Sequence, residues 1–133
     1  MTGNGDGRLI LIVEDNDKNL KLTRDVLRFH GFATVEATSG EEGVALAVEH
    51  GPDLVLMDIA LPGIDGVEAT QRLKADPSTA AIPIVALTAS VMQADRTRFE
   101  AAGFAGLIPK PIDVVTFPDQ VLAFCPIDPE ARP

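Results

Sequence analysis

The chain has 133 residues, 46% hydrophobic and 23% charged, which suits one globular domain with a core that needs no staples. A net charge of −9 speaks against nonspecific binding to nucleic acid or to anionic lipid, since both need a basic footprint. The single cysteine, Cys125, excludes an internal disulfide and fits a reducing cytoplasm; no apolar run approaches the ~20 residues of a membrane span, and Met1–Gly7 lacks the apolar core of a signal peptide.

Taken in chain order, short apolar runs alternate with longer amphipathic stretches. Leu9–Val13 is continuously apolar, as a strand covered on both faces should be. The helix after it stops at His30-Gly31. Ala33–Val35 is a second strand, and Ser39 with Glu42 forms a capping box for a helix stopping at His50-Gly51. Leu54–Met57 is the third strand, again apolar throughout, and Asp65 is an N-cap candidate for the helix that follows. Asp76 to Ala81 reads as a short loop. Pro83 can open the fourth strand, Ile84–Leu87, without losing a central ladder bond. Ser90 with Gln93 forms a second capping box, and Gly103 stops that helix. Gly106–Ile108 is the last strand and Asp113 the N-cap candidate of the last helix, where Pro118 removes one backbone bond or shortens the first turn. Five strands in strict alternation with five helices imply an α/β fold, a parallel sheet with helices on both faces. The expected organisation is a flexible N-terminus over 1–7, one domain over 8–125 and a proline-rich flexible tail over 126–133.

Ligands of an open parallel sheet bind beyond the carboxyl ends of its strands. Glu14 and Asp15 follow the first strand, Asp58 the third, Thr88 the fourth and Lys110 the fifth. Three carboxylates at one sheet edge repel and raise each other's pKa. A hard divalent cation relieves that, and Mg2+ takes carboxylate oxygens, a carbonyl and waters; the Ala60 backbone carbonyl is placed to be one ligand. Asp58 then has an oxygen for nucleophilic attack on phosphorus, giving an aspartyl phosphate. Lys110 can neutralise the transferring group and Thr88 can donate its hydroxyl to it. Singly, each residue has a plainer use: acids suit a helix N-terminus, a lysine is most often solvated, and a threonine suits a strand. Asp58 is harder to dismiss, because a carboxylate at a buried strand end needs a partner. His30 and His50 end helices and read as structural, Met57 as core and Cys125 as a small apolar residue.

The pattern resembles the response-regulator receiver family, its stand-alone members most of all. The resemblance covers about Arg8 to Cys125. It rests on Val13-Glu14-Asp15-Asn16, on Leu56-Met57-Asp58 with Leu61-Pro62-Gly63 and Asp65-Gly66, on Leu87-Thr88-Ala89, and on Pro109-Lys110-Pro111. The resemblance implies a flavodoxin-like strand order 2-1-3-4-5 and a phosphorylation-dependent switch in a two-component system or phosphorelay. It implies Asp58 as phosphoacceptor, and Glu14, Asp15, Asp58 and the Ala60 carbonyl as ligands of Mg2+, with Mn2+ an alternative. Thr88 and Lys110 become the phosphate-sensing pair, and Lys110–Pro111 a cis bond. The implied donor is a histidine kinase or a histidine phosphotransfer protein. The implied output is a protein target bound by the face of the fourth helix, fifth strand and fifth helix, on a monomer or a phosphorylation-dependent dimer. Such a domain is regulatory rather than an enzyme, though it assists its own phosphotransfer and dephosphorylation. Ala60 and Ser90 stand at positions that tune phosphate lifetime in the family; both are small, which leaves the phosphoryl group open to water.

One position departs from the family. Three residues before Lys110 it usually has an aromatic that rotates inward; here stands Leu107, with Phe104 three residues earlier. That leaves a receiver binding partners without phosphorylation as one alternative. An aspartyl-phosphate phosphohydrolase would carry a second acid where this chain has Ala60, and a cap domain. A flavin binder would need a neutral phosphate loop in place of Glu14-Asp15-Asn16-Asp17, and aromatic flanks, while Trp and Tyr are absent.

Overall fold

The computed structural model describes residues 7–61, 63–89 and 93–125, for residues 93–96 the backbone only. Within them lie five strands, β1 (Leu9–Val13), β2 (Ala33–Ala37), β3 (Leu54–Asp58), β4 (Ile84–Thr88) and β5 (Gly106–Pro109). They alternate with α1 (Asp17–Phe29), α2 (Gly40–His50), α3 (Gly66–Ala75), α4 (Gln93–Ala102) and α5 (Phe117–Phe124). The strands form one parallel sheet in the order β2-β1-β3-β4-β5, the order that the resemblance implies.

Side chains alternate across the sheet, as strand geometry requires. Leu11, Val13, Val55 and Met57 face Ala47 of α2, Leu73 of α3 and Phe99 of α4. Ile10, Ile12, Leu54 and Leu56 face the other way, onto Leu27 of α1 and Phe117 and Val121 of α5. This two-sided cover is why β1 and the first four residues of β3 are continuously apolar. β2 is an edge strand and is mostly half-exposed. Strands β2 to β5 run one or two residues beyond their apolar runs, because parallel pairing continues past them. Those extra residues include Asp58, Thr88 and Pro109.

Helix starts follow their caps. The Asn19 N–H donates to the Asn16 side chain at 3.0 Å, opening α1. Glu42 N–H donates to Ser39 Oγ at 3.1 Å, but the Glu42 carboxylate reaches back to the Thr38 N–H at 2.8 Å, one residue earlier than a reciprocal box. Glu68 N–H donates to Asp65 at 2.8 Å. Gly51 and Gly103 end α2 and α4 with φ of 57° and 109°, where a side chain is strained. Asp113 departs from expectation. Its carboxylate accepts from Val115 N–H at 2.9 Å in a turn, and α5 starts only at Phe117, behind Thr116. The delay puts Pro118 in the first helical turn, where a missing N–H leaves no intrahelical bond unmade. Met57 and Cys125 are buried, as expected. The Ser90 cap, Pro62, residues 1–6 and the tail 126–133 lie outside the described residues; Gly7 N–H donates to Gly31 O at 2.9 Å. Among the described residues no helix is long and apolar enough to cross a membrane.

Candidate functional site

The parallel register brings the strand ends to one edge. Asp58 pairs with Leu87 and Thr88 with Pro109, so Thr88 and Lys110 follow next to Asp58 along that edge. Backbone bonds extend the ladder past the strands: Glu14 N–H to Ala37 O at 3.0 Å, Ile59 N–H to Leu87 O at 3.2 Å, and Lys110 N–H to Thr88 O at 2.8 Å. Glu14, Asp58 and Lys110 are therefore held in place by main chain as well as by their side chains.

Glu14 and Asp58 are buried, Thr88 is buried at the end of β4, and Asp15 is exposed. Carboxylate oxygens of Glu14, Asp15 and Asp58 lie within 4.8 Å of one another. Lys110 Nζ stands 3.0 Å from Glu14 Oε1 and 3.4 Å from Asp58 Oδ2. The remaining oxygens take backbone donors: Asn16 N–H to Glu14 Oε2 at 3.2 Å, and Ala60 N–H to Asp58 Oδ1 at 3.1 Å. Burial, joined by the Asp58 carboxyl, pushes Glu14 up to about 7, although the Lys110 ammonium and the Asn16 N–H pull it down. For Lys110, burial works toward a lower value, but the Glu14 and Asp58 carboxylates outweigh it and hold the ammonium above its ordinary range. One ammonium thus serves two buried acids, with a third, Asp15, beside them. The donor set consists of hard oxygens, two of them buried, and it fits a small divalent cation.

The structure brings Glu14, Asp15, Asp58, Thr88 and Lys110 to this one edge. The Lys110–Pro111 bond is cis. Leu107 is half-buried one turn of strand away, packed against the α2–α3–α4 side of the core. Phe104 does not reach the cleft; it is buried just before β5 with its ring 5.6 Å from that of Phe99. Two residues within the quoted motifs have roles that the sequence reading did not assign. Asn16 both caps α1 and holds Glu14 through its N–H; an Asn just before a helical stretch is the signal that marks it. Gly66 packs against the cleft: a Cβ there would collide with the Asp58 carbonyl oxygen and lie 3.0 Å from Ile59 Cα.

The sequence pattern of the response regulator receiver domain matches residues 10–121. The chain belongs to that family. A response regulator receiver is a regulatory module of phosphorelay signalling, and receivers interact with histidine kinases or phosphotransfer proteins. This receiver is 43% identical over 115 residues to the polar-differentiation response regulator DivK of Brucella ovis, covering 86% of this chain and 94% of that one. It is also similar to the receiver domain of the sensor histidine kinase PA1611 of Pseudomonas aeruginosa PAO1, at 34% identity and TM-score 0.79, over 87% of this chain and 94% of that one. That structure has a magnesium ion coordinated in its active-site cleft. The fold alone is shared with the chemotaxis protein CheY4 of Vibrio cholerae, at 21% identity and TM-score 0.84, over 88% and 98% of the two chains.

Proposed function

We propose that this receiver takes a phosphoryl group on Asp58 from the phosphohistidine of a histidine kinase or a histidine phosphotransfer protein. The observation that carries the reading is the Lys110 ammonium reaching Glu14 at 3.0 Å and Asp58 at 3.4 Å inside a cluster of three acids. Glu14, Asp15, Asp58 and the Ala60 carbonyl would hold Mg2+, or Mn2+ in its place. Bound there, the cation neutralises charge on the transferring group. An Asp58 carboxylate oxygen forms the new P–O bond as the P–N bond to the donor imidazole breaks, and the imidazole keeps the electron pair and takes up a proton. The Ala60 N–H fixes Asp58 Oδ1, so the carboxylate cannot turn away. Lys110 offsets negative charge on the phosphoryl oxygens, and Thr88 donates its hydroxyl to one of them.

The approach for a donor is apolar. Leu22 of α1 and Val114 and Val115 before α5 are exposed, and a cavity of about 250 Å³ reaches from Leu22 and Ile112 to Glu14 and Lys110. After transfer, Thr88 and Lys110 draw toward the phosphoryl group, and the α4, β5 and α5 surface repacks for a protein target. The switch unit is residues 8–125, it works in the cytoplasm as a monomer or a phosphorylation-dependent dimer, and it assists its own dephosphorylation while turning over no free substrate. Incubation with acetyl phosphate and Mg2+, followed by intact-mass measurement, tests the reading. One added phosphoryl group is expected, and it should vanish with chelator or with Asp58→Asn. An unchanged mass, or undiminished labelling of Asp58→Asn, overturns it.

A further inference from the structure

The opening turn of α2 presses on two segments of the cleft at once. Gly40 and Gly43 are both buried and stand three residues apart, on one face of the helix. A Cβ on Gly43 would lie 2.7 Å from Val13 Cγ2, and Val13 ends β1 directly before Glu14. A Cβ on Gly40 would lie 2.7 Å from Ile64 Cγ1 and 2.9 Å from the Ile64 carbonyl oxygen, in the loop between β3 and α3 that carries Ala60. The Glu41 carboxylate lies over Gly63 of the same loop, where a Cβ would stand 3.0 Å from Oε2. The turn is itself pinned to the sheet edge. Ser39 Oγ accepts from Glu42 N–H at 3.1 Å, and the Glu42 carboxylate accepts from Thr38 N–H at 2.8 Å. The carbonyl of the preceding residue, Ala37, accepts from Glu14 N–H at 3.0 Å. Glycine is a poor helix former, so two in one turn cost helix stability, and close approach is what they allow. A larger residue at either position would push Val13 or Ile64 outward, and Glu14 or the Ala60 loop with it.

We propose that this turn is a brace that sets the spacing between Glu14 and the β3–α3 loop, with Gly40 and Gly43 as positioning residues for the divalent cation. They act only through Val13 and Ile64. The inference rests on the reading that Glu14 and the Ala60 carbonyl hold the cation. Coupling of this kind is reciprocal: the turn holds the cation's ligands in place, and the bound cation holds the turn.

Calorimetric Mg2+ titration of the full chain tests the brace. Gly40→Ala and Gly43→Ala should each weaken Mg2+ binding about tenfold, the low end of the cost of disturbing what orients a metal ligand. A role in helix stability alone predicts no loss, because alanine is the better helix former. Val13→Ala removes both methyls that the new Cβ of Gly43→Ala meets, so the two changes together should restore affinity to within about threefold of Val13→Ala alone. Ala45→Gly, at an exposed position of α2, weakens the same helix by propensity and should leave Mg2+ affinity within about twofold. Hydrogen exchange reads the coupling from the other side, on the parent chain and without a phosphodonor. Saturating Mg2+ should slow the Gly43, Val44 and Ala45 amides at least about tenfold more than the Val121 and Leu122 amides of α5. Equal slowing in α2 and α5 overturns the brace, as does unchanged Mg2+ affinity in both alanine variants. An equal loss in Ala45→Gly and Gly43→Ala would assign the effect to helix stability and overturn it too. A parent chain that binds no Mg2+ overturns the metal reading along with the brace, whereas a parent and variants that bind alike overturn the brace alone.

Discussion

The acidic cleft and the outer edge of β5 are built on the same sheet but held in different ways. In the cleft, both buried carboxylates are tied twice, once by a backbone N–H and once by Lys110. At the β5 edge, half-buried Leu107 and Phe124 border about 260 Å³ of open space, and among the described residues no comparable polar network fixes them. Charges in a low-dielectric site tolerate little misplacement, so the cleft must be rigid before phosphorus arrives. A surface that changes partner affinity needs slack instead, because a filled, fully packed edge has no second arrangement to adopt.

The sharpest way to break that comparison is to remove one group from each region and read the chemistry. Lys110→Ala should slow labelling by acetyl phosphate about 10²–10³-fold, the usual cost of losing a preorganised charge-stabilising group. Leu107→Ala should leave the rate within about threefold, since it touches neither the acids nor Lys110. Rapid-quench labelling followed by mass measurement gives both numbers. A large loss in Leu107→Ala would mean that the β5 edge is part of the catalytic framework.

Stability should divide the regions next. Leu56 is fully buried two residues before Asp58 on the same face of β3, and Leu56→Ala should cost about 2–5 kcal/mol in urea unfolding. Leu107→Ala should cost only about 1 kcal/mol, because that side chain is half-exposed and opens onto a cavity already present. Equal costs would show the β5 edge to be as tightly packed as the sheet centre.

The same contrast explains what could be read without coordinates. Continuous burial made β1 and β3 legible, because strands covered on both faces read as unbroken apolar runs, Leu9–Val13 and Leu54–Met57. The cleft was legible because phosphoryl chemistry admits few residue types, and Glu14, Asp15, Asp58, Thr88 and Lys110 each stand just where an apolar run stops. The start of α5 was not legible from Asp113, since an Asp that serves a turn looks the same as one that caps a helix until Pro118 is counted. Gly66 was hidden for a related reason. Its role is the absence of a Cβ against the Asp58 carbonyl, and an Asp-Gly pair announces a turn equally well. The pocket beside Leu107 needed coordinates, because Phe99, Phe104 and Phe124 come from three elements and converge only in space.

The finest distinction is a proton. Glu14 titrates at about 7 in the fold against 4.5 for an ordinary glutamate. Between those values the folded chain holds a proton that the unfolded chain has released. With its folded value raised, Glu14 contributes stability that is fully present below about pH 4.5 and is lost as pH rises through about 7. The metal-free chain should therefore melt at a lower temperature at about pH 8 than at about pH 6, and Glu14→Gln should flatten the Glu14 share of that slope. A divalent cation competes for the same oxygen. Its affinity should climb up to about tenfold per pH unit below about 7 and level off above, while Lys110 stays charged throughout. Calorimetric titration of Mg2+ across that range reads the effect directly. A flat profile would mean that Glu14 is ionised without the metal, which requires water in the cleft and removes the rigidity that sets it apart from the β5 edge.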